Sequence, residues 1–146
     1  MKKYELTDET IEVYGTALHR IKALKDFGNV KKGELGGYVE SERNLSQEGN
    51  CWVYGNAWVC GNAEVCGNAR VCGNADYITI KGLGSVCRNT TIFRTKGKNI
   101  AVKCGCFYGT LAEFVDKVKE THGNSKFAKE YLALIDLVKI HFELEE

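Results

Sequence analysis

From Gly37 to Ile78 the chain divides into gapless hexads: GYVESE, RNLSQE, GNCWVY, GNAWVC, GNAEVC, GNARVC and GNADYI. Asn44, Asn50, Asn56, Asn62, Asn68 and Asn74 recur every six residues. The Gly-Asn pairs are turn signals, because both residues adopt a positive φ at low cost. The four residues between turns alternate, so Ala57 and Val59, Ala63 and Val65, and Ala69 and Val71 share one side. Trp58, Glu64, Arg70 and the cysteines share the other. Four-residue strands joined by tight corners leave little room for hairpins. Wound as a coil, three sides make about 18 residues per turn, stacked at the strand spacing of about 4.8 Å.

The expected fold class is therefore mainly β: a left-handed parallel β-helix with an N-terminal β cap and a C-terminal α-helical hairpin. The expected divisions are 1–36 for the cap, 37–78 for the coil, 79–109 for a β extension and 110–146 for the hairpin. One valine per hexad does not offset the entropy of ordering six residues, so the flanks are expected to cover the coil ends. Residues 79–104 stay strand-like, as further coil or as a hairpin closed at 96–99. Thr110 and Glu113 have capping-box spacing, and Leu111, Phe114, Val115 and Val118 recur at helical spacing. Gly123 ends that helix, and Phe127, Tyr131, Leu134, Val138 and Phe142 mark the next. The helix pair is expected to plug the coil or to form a dimer.

The chain has 146 residues, with 20 basic against 19 acidic, which excludes a polycation of the histone kind. No apolar run is long enough to span a bilayer, and Lys2 and Lys3 precede no apolar core of a signal peptide. With seven cysteines, an odd number, the expected setting is a reducing cytoplasm, with no membrane partner.

Charge is unevenly placed. Tyr77 to Ala112 holds no Asp or Glu but six cations: Lys81, Arg88, Arg94, Lys96, Lys98 and Lys103. Guanidinium forks and hydroxyls suit phosphate oxygens. The candidate ligand-binding residues are Arg88 and Arg94 as bidentate donors, Thr90 and Thr91 as hydroxyl donors, and Lys96 and Lys98 for attraction at range. The alternative is a solvated basic face.

Cys104 and Cys106, as Cys-x-Cys on a strand, would share a side. With His122, and less readily His141, they could hold zinc, and Cys106 with His122 could form a nucleophilic dyad. That set is incomplete, so no cofactor is expected, zinc being the alternative. Packed thiols are the competing reading. Trp52, Tyr54 and Trp58 fall at outward positions, under a cap or on a binding face.

The hexads resemble the hexapeptide-repeat superfamily, known for acyl- and acetyltransferases with a catalytic histidine on the coil. Here His19, His122 and His141 all lie outside the hexads, so transferase chemistry is not expected. A second resemblance spans nearly the whole chain. LHRIKALKDFGNVKKGELGGYVESERNLSQEGNCWVYGNA, the GNA hexads, GLGSVCRNTTIFR and VKCGCFYGTLAEFVDKVKETHG are similar to small proteins of bacteriophages and prophages, labelled β-helix or polymer-forming-cytoskeletal-like. That resemblance implies a non-catalytic accessory protein in a bacterial host cytoplasm. Its partner would be a host defence protein, or a nucleotide ligand or nucleic acid. A self-assembling scaffold, oligomeric through its helices or β-helix face, is the alternative. A thiol- or zinc-dependent enzyme built on Cys106 and His122 is the third reading.

Overall fold

The computed structural model describes residues 1–86, 88–96 and 99–144. Three blocks of pairing organise them. In the first, β1 (Tyr4–Val13), β2 (Thr16–Ala23) and β3 (Leu35–Val39) form an antiparallel meander, and β5 (Trp58–Val59) adds parallel to β3. The β1–β2 hairpin turns at Tyr14 and Gly15, both at positive φ. In the second block, β4 (Trp52–Val53) lies parallel to β6 (Arg70–Val71). In the third, β7 (Tyr77–Leu83), β8 (Arg88–Arg94), β9 (Ile100–Cys104) and β10 (Phe107–Thr110) form a wholly antiparallel meander. Two helices follow, α1 (Leu111–His122) and α2 (Lys126–His141).

This pairing overturns the expected left-handed parallel β-helix. The described chain is mainly β with antiparallel and mixed sheets and two helices, and most of its ladders are antiparallel. Parallel contact is confined to short pieces: Tyr38–Trp58 with Val39–Val59, Trp52–Arg70 with Val53–Val71, and the Leu45–Val65 bridge. The reason is strand length. Each hexad strand named above has two residues, whereas β1 has ten and β7 and β8 have seven. Long ladders arise where hairpins can close, and the flanks supply them. Residues 79–104 accordingly leave the hexad pattern as hairpins, with Thr95 N–H donating to Asn99 O at 2.9 Å.

Side-chain alternation within the hexads does hold. Val53, Val59, Val65, Val71, Ala63 and Ala69 are fully buried. Trp58, Glu64 and Arg70 are half-buried. Trp52 takes the first of its two expected places, under the N-terminal strands and not on a binding face: it is buried, edge-on to Tyr4 at 6.1 Å and to Phe27 at 5.2 Å. The first sheet needed an apolar anchor, and Trp52 supplies it. Lys3 is also buried there, its ammonium donating to Cys51 O at 2.8 Å and lying 4.8 Å from the centre of the Phe27 ring. Burial holds its pKa below the usual lysine value.

The third sheet has two packed faces. Phe93 and Ala101 join the hexad core, while Ile92, Ile100, Val102 and Cys104 join the core under the helices. The helix pair therefore covers the sheet face opposite the hexads, instead of plugging a coil. The capping box forms as its spacing predicts: Thr110 N–H donates to Glu113 Oε1 at 2.8 Å, and Glu113 N–H to Thr110 Oγ1 at 3.1 Å. No helix among the described residues is long and apolar enough to cross a membrane.

Buried Asn44 ties two hexads together. Its amide donates to Gly61 O at 3.2 Å and to Ala63 O at 3.0 Å, and its oxygen accepts from Ser41 N–H at 3.1 Å. Replacing Asn44 with Ala should cost about 1–3 kcal/mol, because buried backbone groups lose their partners. Urea unfolding at unchanged slope measures it.

Burial pushes the Cys66 thiol up to about 11 and the Tyr77 phenol up to about 12. Below the unfolded pKa values of 9.0 and 10.0 both states hold these protons, so the contribution is fully present. Above them the unfolded chain ionises first, and stability falls until the folded groups also titrate. Melting temperature should drop between pH 9 and 12, and Cys66→Ala should lessen the drop between pH 9 and 11, to which burial of Cys51, Cys60 and Cys72 also contributes.

Candidate functional site

The β9–β10 hairpin turns through Gly105 and Cys106, with Cys104 paired to Phe107. Cys104 and Cys106 therefore do not sit on one strand, as their spacing suggested. Cys104 is buried on the helix side, and Cys106 is exposed at the turn. Gly105 adopts φ +60°, and a side chain there would collide with the Arg88 guanidinium. The glycine thus lets Arg88, at the start of β8, lie across the turn.

Around this hairpin end is a cavity of about 180 Å³ between the third sheet and the helix pair. Its apolar wall is Phe107, Phe114, Val118 and Tyr131. Phe114 packs 5.4 Å from Phe107 and 5.4 Å edge-on to Tyr131. Its polar residues are Arg88, Lys117, Thr121 and His122, with Cys104 and Cys106 alongside. Among the described lining residues none is a carboxylate.

Each group is held by its element. Tyr131 on α2 donates its hydroxyl to Leu83 O at 3.2 Å, and its oxygen lies 3.8 Å from Cys104 Sγ. Burial first, and the neighbouring Cys104 thiol second, raise its pKa well above the ordinary phenol value. Tyr131 is therefore a neutral hydroxyl at physiological pH. Thr90 donates to Cys104 Sγ at 3.2 Å. His122, at the end of α1, stacks on Tyr131 with centroids 5.9 Å apart and planes 22° apart. Lys117 and Thr121 are four apart on α1, so they share a face at the mouth. Lys117 reaches Glu120 only at 3.9 Å, on the exposed surface.

Of the six residues expected to bind a ligand together, the five described ones are dispersed. Arg88 lines this cavity. Thr90 and Thr91 are buried, which removes both as contacts for an external ligand. Alternation along β8 turns Thr90 to Cys104 and Thr91 to the hexads, where its hydroxyl accepts from Glu64 N–H at 3.0 Å. Arg94, at the far end of β8, pairs through Nε with Asp76 Oδ1 at 3.1 Å and lies 5.1 Å from the Phe142 ring centre. Lys96 lines a different cavity, and Lys98 lies outside the described residues.

Cys104, Cys106 and His122 all line the first cavity. Among the described residues, however, no three His, Cys, Asp or Glu side chains gather as a metal site, and no hydrogen bond joins Cys106 to His122. Lys117, Thr121 and Tyr131 were absent from the sequence-derived site. Tyr131 reads as one more apolar position of its helix, and only packing aims its hydroxyl inward. Lys117 and Thr121 carry an i, i+4 signal, but nothing in the sequence connects it to Arg88.

A scan against models of known protein families gives no match. A search of curated proteins finds local similarity to a protein named uncharacterized acetyltransferase YdcK, from Escherichia coli strain K12. Identity is 40% over 62 residues, covering 37% of this chain and 19% of that protein. The chain thus spans about a fifth of the length of the curated relative it matches. The similarity is compatible with the likeness of the hexads to the hexapeptide-repeat superfamily.

Arg94 belongs to the framework by these contacts. Arg94→Ala should lower stability by about 1 kcal/mol, the scale of a partly exposed ion pair with an aromatic contact. Thermal denaturation of Arg94→Ala, Asp76→Asn and the double variant checks the pairing: Asp76→Asn should cost more, since Asp76 Oδ2 also accepts from Cys72 N–H at 2.8 Å and Gly73 N–H at 3.0 Å, and the double variant should lose less than the sum.

Proposed function

We propose that this protein is a non-catalytic binding protein for a nucleotide-class ligand, one that joins a flat ring to phosphate. The observation that carries the reading is an aromatic-walled cavity flanked by Arg88 and Lys117. Its volume of about 180 Å³ is below the roughly 300–1,000 Å³ of sites for drug-sized molecules. It suits a single ring system, with the rest of the ligand at the rim. Phe107, Phe114 and Tyr131 offer faces and edges to a base, while Arg88 offers a fork to phosphate oxygens. Thr121 adds a hydroxyl. The likeness to phage-encoded small proteins extends the proposal to a role: holding a host nucleotide signal away from an antiviral defence system.

A second reading draws support from the segment shared with the E. coli protein named an uncharacterized acetyltransferase. In that reading the Arg88 cavity of this chain receives the phosphate-bearing acyl donor of an acetyl transfer. Calorimetric titration with AMP, GMP, a cyclic dinucleotide and acetyl-coenzyme A distinguishes the two. The binding reading expects at least one nucleotide to bind without being consumed. Arg88→Ala should weaken it about tenfold or more, the size of a charged hydrogen bond. Coenzyme A release in the presence of an amine acceptor would favour the transferase. Absence of binding at millimolar concentration, or indifference to both Arg88→Ala and Lys117→Ala, would remove the cavity from consideration.

A further inference from the structure

A second cavity, of about 210 Å³, lies where the Gly-Asn corners stack. Its residues come from four separate stretches. Asn29 belongs to the turn closed by the Phe27–Val30 bridge. Asn50 and Asn68 sit at hexad corners eighteen residues apart, held in line as Asn50 N–H donates to Gly67 O at 3.2 Å. Tyr54 and Arg70 follow from the same two hexads, tied by Tyr54 N–H to Val71 O at 2.8 Å and by the Trp52–Arg70 pair. Lys96 enters from the β8–β9 connection. The chain thus brings a cation of the basic segment to a cation of the repeat.

The chemistry of this set is specific. It holds three primary amides, a phenol, a guanidinium and an ammonium, and among the described lining residues no carboxylate. Arg70 and Lys96 together suit an oxyanion. Asparagine amides both donate and accept, which matches the hydroxyls of a sugar. The half-buried Tyr54 ring offers a flat apolar wall, and burial raises the pKa of its phenol despite the opposing charge of Arg70. We infer that this cavity is a binding site for a phosphorylated sugar, with phosphate on Arg70 and Lys96 and sugar hydroxyls on the asparagine corners. It lies beyond the Arg94 end of β8, while the Arg88 cavity lies at the other end, about 20 Å away along the strand. It stands independently of the nucleotide reading.

The test is an NMR titration of the full chain, labelled with ¹⁵N, using ribose 5-phosphate, with ribose and inorganic phosphate as comparators. Binding of ribose 5-phosphate should shift the amides of Asn29, Asn50 and Asn68 and the Arg70 side chain. Arg70→Ala should weaken it about tenfold. Lys96→Ala, an exposed position that should leave folding intact, should weaken it about threefold. Either comparator binding as tightly as ribose 5-phosphate overturns the assignment. So do shifts confined to the Arg88 cavity, or no shift up to roughly 10 mM, weaker than the millimolar range of feeble ligands.

Discussion

Burial of the hexad valines is the contact on which the rest of this fold depends. Each of the four repeats from Gly49 to Cys72 offers an alanine- or cysteine-sized residue and a valine to the interior, and the strands formed there, β4, β5 and β6, are two residues long. Such a segment orders more backbone than its own apolar contacts can offset. It persists because larger elements close on it from two directions. Tyr4, Ile21 and Val39 of the first sheet, with Phe27 from the β2–β3 connection, join its core on one side, and Phe93 and Ala101 of the third sheet join it on another. Polar ties follow the same route, from Tyr77 Oη to Trp58 O at 3.3 Å and from Asn89 to Glu64 Oε2 at 3.0 Å. The buried Lys3 ammonium donates to the carbonyls of Glu48, Gly49 and Cys51 and so ties the N-terminus to that corner.

The third sheet has a second consequence. With both faces covered, its side chains alternate between the hexad core and the helix core, and its ends are where polar groups emerge. One end presents Arg88 and the Gly105 turn to α1 and α2. The other leads through Arg94 to Lys96 and the stacked asparagine corners. A basic segment that is continuous in sequence is thereby divided between two cavities, with its middle buried. Each cavity receives cations from a second element: Lys117 from α1 in one case, and Arg70 from β6 in the other.

Several local features were legible without coordinates. Turn residues, the inward set of valines and alanines, the Thr110–Glu113 cap and the apolar stripes of both helices all follow from short-range periodicity. Arg88 was legible as a candidate, and Cys104, Cys106 and His122 were legible as a group near one place. Their roles were not. Thr90 and Thr91 look like surface hydroxyls in a basic run, yet each becomes a buried partner because β8 is an inner strand of a covered sheet. For Trp52 alternation left two places open, under a cap or on a binding face, and packing beneath Tyr4 and Phe27 decided for the first.

What the sequence determined by itself is whatever depends on neighbours within one turn or one strand: the corners, the alternation, the caps and the excess of positive charge between Tyr77 and Ala112. Tertiary structure decided how strands paired, which face of the third sheet met which core, and where the cations met partners. The reason is range. A hexad specifies the direction of its side chains through its own dihedrals, but a ladder forms with whichever segment has length and a hairpin to close it. Here the flanking strands had both, so the repeat that dominates the sequence became the filling between sheets built from the less regular parts of the chain.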